Sequence, residues 1–108
     1  MAGLGSASEA DLVELHAQNP AAEMIVLEAL GLDPKSPKAA VNPSGGALCA
    51  DPIMSTGLIR LGEGFRQISG GAGPRQVAGA KRAVVHGTQG HCLQQNIVWV
   101  LGAQRRWS

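Results

Sequence analysis

Fifteen glycines and six prolines in 108 residues constrain this chain more than any other feature. Residues of these two kinds mark turns and close backbone approaches, so they cut the sequence into short elements and leave part of the function to backbone geometry. At this length the chain holds one domain and one modest core. Hydrophobic residues make up 44% and charged residues 16%, a balance that suits a folded globular domain rather than a disordered polymer.

Leu12, Val13 and Leu15 form a short apolar run ending at His16, which reads as a strand over 11–16. Asn19 is a good N-cap, Pro20 suits the first helical position and Gly31 sits where a left-handed C-cap belongs, so a helix is predicted over 20–30. Its apolar residues cover much of its circumference, which predicts packing on more than one side; Glu23 and Glu28 are left to reach solvent or a partner. Ala39-Ala40-Val41 reads as a strand feeding the tight loop Asn42-Pro43-Ser44-Gly45-Gly46. Asp51 and Pro52 repeat the cap pairing, and Met54, Leu58, Leu61, Phe65 and Ile68 recur at helical spacing, predicting a helix over 52–68. Gly57, Gly62 and Gly64 each cost about 1 kcal/mol relative to Ala inside a helix, so they point to close approach of another backbone. Gly70 to Pro74 ends that helix. Residues 83–86 and 97–101 are β-prone and separated by the turn-like Gly87-Thr88-Gln89-Gly90, which predicts an antiparallel hairpin.

These elements make an α/β domain: a layered, mostly parallel mixed sheet with helices packed on it and a C-terminal antiparallel hairpin. It is one domain over 1–108, with a basic tail at 103–108 expected to fray. The net charge of +1 and the three aromatics Phe65, Trp99 and Trp107 provide neither a basic stripe nor a stacking platform, so nucleic acid is not expected as a partner. No window approaches the roughly 18–20 apolar residues of a membrane span, and Met1 to Asp11 lacks an export signal's basic-then-apolar order. Cys49 and Cys92 are far apart in sequence, which makes free thiols in a reducing cytosol the expectation.

Several residues could carry chemistry. The Asn42–Gly46 loop falls at the carboxyl end of a parallel strand, where open α/β sheets bind ligands, although a plain tight turn would use the same residues. Cys92 follows Gly90 and His91 toward the last strand, where its thiol could be tuned by an imidazole. Cys49, among small residues, reads as a buried hydrophobe. His16, ending a strand, is either a hydrogen-bonded boundary residue or a catalyst. Asp51 could act as a base, but before Pro52 it is first an N-cap. Cys92, His86, His91 and His16 show no standard zinc spacing, and no metal is expected.

Taken together, these segments resemble the carboxyl-terminal half of a thiolase. The resemblance lies in Glu14-Leu15-His16 leading into a helix ending Leu27-Glu28-Ala29-Leu30-Gly31-Leu32, then Asn42-Pro43-Ser44-Gly45-Gly46-Ala47-Leu48, Pro52-Ile53-Met54-Ser55-Thr56-Gly57, Arg60-Leu61, and Gly90-His91-Cys92 before an apolar strand. It runs from Ala2 to about Leu101 and is most similar to the lipid-transfer or sterol-carrier type, which has a His at the position of His16. The resemblance implies acyl-coenzyme A or sterol-coenzyme A thioesters as substrates, with no other cofactor. The reaction would be acyl transfer or carbon–carbon cleavage in lipid or sterol metabolism. It places Cys92 as the proton-moving thiol beside His16, with Asn42, Gly45, Gly46 and Asp51 against the substrate.

Two departures and one gap qualify that implication. Ala50-Asp51-Pro52 stands where thiolases carry Gly-His-Pro, and an ionised aspartate cannot donate to an oxyanion. Leu93, Gln94 and Gln95 replace the small residue and glycine usual after the cysteine. No segment matches the half that carries the acylated nucleophile, so a second polypeptide or a homo-oligomer is implied. Each thiolase half orders its strands 3-2-1-4-5. This chain resembles that half only from just before its second strand, which implies a vacant central place in the sheet. Two other readings remain: a non-catalytic lipid-carrier or interaction module that docks through the apolar face of helix 52–68, and an inactive truncated remnant.

Overall fold

The computed structural model describes residues 7–35, 38–49, 55–90 and 94–103. The molecule is organised around one short strand, β1 (Leu12–Glu14), whose three residues are all buried. A strand covered on both faces needs side chains that can be buried on both, and Leu12-Val13-Glu14-Leu15 meets that demand except at Glu14. Parallel neighbours flank it: β2 (Ala40–Val41) on one side and β3 (Arg82–Gln89) on the other. The antiparallel β4 (Gln95–Gly102) completes a four-stranded mixed sheet in the order β2-β1-β3-β4. The predicted α/β class with its C-terminal hairpin is therefore observed.

The sheet is continuous, and the vacant central place is not there. Leu12, Val13 and Glu14 pair directly with Ala83, Val84 and Val85. Open edges on β1 and β3 would leave rows of backbone N–H and C=O unpaired, and drawing the two strands together satisfies them. Asp11 seals the start of this seam. Its backbone N–H donates to the Arg82 carbonyl at 2.9 Å, and its carboxylate accepts from the Lys81 and Arg82 amides at 2.8 Å each.

α1 (Pro20–Ala29) starts where its cap predicts, with the Ala22 amide donating to Asn19 Oδ1 at 2.9 Å. Gly31 adopts the left-handed φ of 79°. The helix packs on one side only, contrary to expectation: Val26 and Leu27 are buried, whereas Met24 and Ile25 are exposed. With Val13, Leu15, Leu32, Ala39 and Val84 they form the main apolar core, in which each buried Leu or Val contributes about 1.5–3 kcal/mol.

α3 (Thr56–Ser69) covers the opposite face and ends at the left-handed Gly70; α2 (Gly46–Cys49) is a single turn before it. The predicted start of the long helix at Asp51 and Pro52 lies outside the described residues. α3 is packed with its polar side inward. Thr56, Arg60, Glu63, Gly64 and Gln67 are buried, while Leu58 is 71% and Phe65 64% exposed. Of the three glycines, Gly64 lies against Val85, Leu101 and Ala83, and Gly57 faces the Gly87 backbone at 3.8 Å, but Gly62 faces open space.

Gly87, Thr88 and Gln89 belong to β3 rather than to a turn. A Cβ on Gly87 would lie 3.2 Å from Trp99 and 3.3 Å from Ile97, so glycine stands in this strand because cross-strand side chains close over it. Cys49 is exposed and free rather than buried. The inward side of α2 is taken by Gly46 and Ala47, and the Cys49 sulfur lies only 2.6 Å from where a Cβ on Gly45 would stand.

Candidate functional site

The carboxyl ends of the parallel strands gather the polar side chains. Glu14, at the last position of β1, points to the α3 side and is fully buried. Its carboxylate accepts from the Ser44 amide at 2.9 Å and the Ser44 hydroxyl at 2.7 Å, and it pairs with Arg60 Nε at 3.3 Å. Burial pushes the Glu14 carboxyl above its ordinary range, while the Ser44 hydrogen bonds and the Arg60 charge pull in the opposite direction. Arg60 is itself only 4% exposed, and its Nε and Nη1 make no hydrogen bond among the described residues. The contact with Glu14 is thus a charge pair rather than a bidentate fork.

Glu14 anchors the Asn42–Gly46 loop. Asn42 takes a left-handed φ of 48°, which asparagine tolerates better than most residues. Its Oδ1 accepts from the Leu15 amide at 2.6 Å and its Nδ2 donates to Glu23 at 3.2 Å. Gly45 and Gly46 follow with φ of 91° and 63°, and the Gly46 amide donates to Ser44 Oγ. The expected tight loop at a strand's carboxyl end is present, tied to β1 by both Glu14 and Asn42.

His16 lies one residue beyond Leu15, is buried, and is held by β3. Its Nδ1 accepts from the Thr88 amide at 3.1 Å, and its own amide donates to His86 Nδ1 at 3.4 Å. His86 Nε2 meets Asn96 Oδ1 at 2.8 Å. Each ring accepts a backbone N–H at Nδ1, so each neutral imidazole carries its proton on Nε2. His16 lines a groove of about 1020 Å³ together with Thr56, Leu61, Gly87, Asn96 and Trp99. Small residues floor it, an indole walls it, and imidazole and amide groups supply its polar contacts, as in sites for partly apolar ligands.

Of the sequence-predicted residues, His16 is in the groove wall. Asn42, Gly45 and Gly46 sit at the same end of the sheet, behind β1. Cys92 and Asp51 lie outside the described residues. Sequence reasoning gives Glu14 and Arg60 no role beyond the segments that carry the resemblance, and weighs His86 only as a metal ligand. A carboxylate interrupting the apolar run Leu12-Val13-Glu14-Leu15 was the available signal for Glu14. For the pairing of Arg60 with Glu14 and of His86 with His16 there is none, because the partners are 46 and 70 positions apart in sequence. Among the described residues, no cluster of three or more His, Cys, Asp or Glu side chains could hold a metal ion, and no helix is long and apolar enough to cross a membrane.

The chain belongs to the thiolase C-terminal domain-like family, whose model matches residues 1–103. Among known proteins it is similar to sterol carrier protein 2 of Oryctolagus cuniculus, with 38% identity over 94 aligned positions covering 73% of this chain and 17% of the relative. The Rattus norvegicus protein of that name is 38% identical over 99 positions, covering 78% and 18%. The Homo sapiens protein is 36% identical over 94 positions, covering 73% and 17%. The chain therefore spans less than a fifth of the length of these relatives.

Proposed function

We propose that this chain is the carboxyl-terminal half of a thiolase-like unit that holds an acyl-coenzyme A thioester in the groove beside His16 and works with a second polypeptide carrying the nucleophile. The single observation that carries this reading is α3. The helix that walls the groove buries Arg60, Glu63 and Gln67 and turns Leu58, Ile59 and Phe65 outward, as a helix does when a second layer covers it. In this reading His16 donates from its Nε2 side to the thioester oxygen, because Thr88 fixes its tautomer. Cys92 moves the proton at the substrate α-carbon, and Asn42, Gly45, Gly46 and Asp51 shape the acyl end. The name of the similar proteins favours a sterol-type acyl group, and the reaction is acyl transfer or carbon–carbon cleavage.

The test is calorimetric titration of the chain with fatty acyl- and steroid acyl-coenzyme A, repeated with the partner chain. Binding weakened at least tenfold in His16→Ala with the fold retained, and turnover of the complex lost in Cys92→Ser, are the expected results. Thioester affinity indifferent to His16 would refute the groove assignment. Asp51 in the usual histidine's place favours a second reading, a non-catalytic lipid-carrier module. Affinity without turnover, unaffected by Cys92→Ser, would select it.

A further inference from the structure

Glu14 is a carboxylate inside a packed layer, and the groove reading gives it no task. It is fully buried at the last position of β1, two residues before His16. Burying an ion there costs far more than burying the leucine or valine that such a strand position ordinarily carries. The cost is offset by contacts from two other elements, and both elements belong to the end of the sheet that holds the groove.

Two chains of contacts lead from Glu14 to the groove. In the first, the Ser44 amide and hydroxyl donate to the two carboxylate oxygens at 2.9 and 2.7 Å, and Ser44 Oγ accepts from the Gly46 amide at 3.1 Å. The hydroxyl proton is thereby committed to Glu14 and an oxygen lone pair to Gly46, which holds the loop closed against β1. The same loop places Asn42, whose Oδ1 accepts from the amide of Leu15, the residue before His16. In the second, Arg60 reaches Glu14 from α3. Thr56, Gly57 and Leu61 stand within about one turn of Arg60 on that helix and line the groove together with His16. A carboxylate serves both chains, because it accepts two donors at once and is charged for Arg60. A glutamine keeps one acceptor oxygen and, whichever way its amide is turned, sets N–H groups against a donor.

We infer that Glu14 is the positioning residue of the groove: its charge fixes the Asn42–Gly46 loop on one side and the Thr56-to-Leu61 segment of α3 on the other, and so sets where His16 stands relative to a bound thioester. With no exposed surface, Glu14 touches no ligand and acts only through Ser44 and Arg60. The inference rests on the proposed thioester groove and adds to it the residue that holds its parts in register.

The test combines calorimetric titration with octanoyl-coenzyme A, thermal melting, and amide hydrogen exchange of the ligand-free chain. The first variant is Glu14→Gln with Arg60→Met, which exchanges a buried ion pair for two neutral side chains of similar size and is expected to keep the fold. Its affinity is expected to fall about tenfold or more, the equivalent of one charge-assisted hydrogen bond. Exchange at the Ser44 and Gly46 amides should quicken by a similar factor, with that of Val84 in the core unchanged. Ser44→Ala leaves the Glu14–Arg60 pair in place and is expected to weaken binding and release the Gly46 amide in the same way. Wild-type affinity in both variants would overturn the inference, as would wild-type protection of Gly46 in both. So would a loss of affinity that only follows a loss of melting temperature, which would assign Glu14 to stability alone. His16→Ala separates this result from the groove reading. Affinity lost in His16→Ala but kept in the other two variants refutes the positioning role by itself. Affinity indifferent to His16 refutes the groove, while exchange at Gly46 decides independently whether Glu14 holds the loop.

Discussion

Replacing Arg60 by methionine separates the charge of the buried pair from its packing. The methionine fills much of the same space with a flexible apolar chain, and Glu14 is left buried with Ser44 as its hydrogen-bond partner among the described residues. Removing one partner of a buried pair costs about 3–5 kcal/mol when the remaining charge cannot adapt. Glu14 can adapt by taking a proton, and burial already raises its pKa from the ordinary 4.5. The charge penalty therefore has a ceiling. Protonating an ordinary carboxyl at pH 7 costs about 1.36 kcal/mol for each unit above its ordinary value, about 3.4 kcal/mol in all. That ceiling falls to zero near pH 4.5. In the same variant two buried guanidinium nitrogens without hydrogen bonds disappear, a relief of about 1–3 kcal/mol each where such donors are orphaned. Thermal unfolding of wild type and Arg60→Met at pH 7 and pH 4.5 is the assay. The melting temperature of the variant is expected to rise relative to that of wild type between pH 7 and pH 4.5, by about 4–8 °C for each kcal/mol of charge penalty removed, and to match or exceed wild type at pH 4.5. Adding Glu14→Gln to Arg60→Met should abolish the pH dependence. A loss of equal size at both pH values would refute the reasoning, because Arg60 would then be acting through shape rather than by neutralising Glu14.

Gly64→Ala should destabilise the protein although alanine favours helix by about 1 kcal/mol, because the new methyl would lie 2.6 Å from Val85 and 3.1 Å from Leu101; Gly62→Ala, facing open space, should raise the denaturant midpoint. Asn42→Ala removes the acceptor of the Leu15 amide and a residue tolerant of positive φ, so chemical denaturation should show a loss of about 2 kcal/mol. Glu63 is opposed by burial but held below the ordinary carboxylate range by hydrogen bonds from Arg75 and Gln67. Its contribution is therefore present above the ordinary pKa and lost as pH falls through the folded value, and Glu63→Gln should flatten that acid limb in pH-dependent melting. Glu14 works with the opposite sign: its raised pKa favours folding below the ordinary value, and the benefit is lost as pH rises through the folded one.

Local signals made several elements legible in advance. Asn19, Pro20 and Gly31 delimit α1 because caps are short-range chemistry, and Gly70 ends α3 for the same reason. The Asn42–Gly46 loop could be placed because asparagine and glycine are the residues that enter left-handed backbone readily, and His16 because it ends an apolar run. The orientation of α3 could not be read. Its apolar residues follow a helical period, but period alone does not say whether that stripe meets this sheet or another surface. Here Glu14, one carboxylate on the sheet face, draws Arg60 inward and leaves Leu58 and Phe65 outside.

By itself, then, the sequence determined the kinds of element, both ends of α1 and the C-terminal end of α3, the hairpin, the loop at the end of β2 and the family. All but the family rest on residues within a few positions of one another. Only the tertiary structure decided that β1 pairs directly with β3, that α3 packs with its polar side inward and that His86 and Thr88 hold His16. These contacts join residues tens of positions apart, and they are settled by which burial leaves the fewest backbone groups and charges without partners.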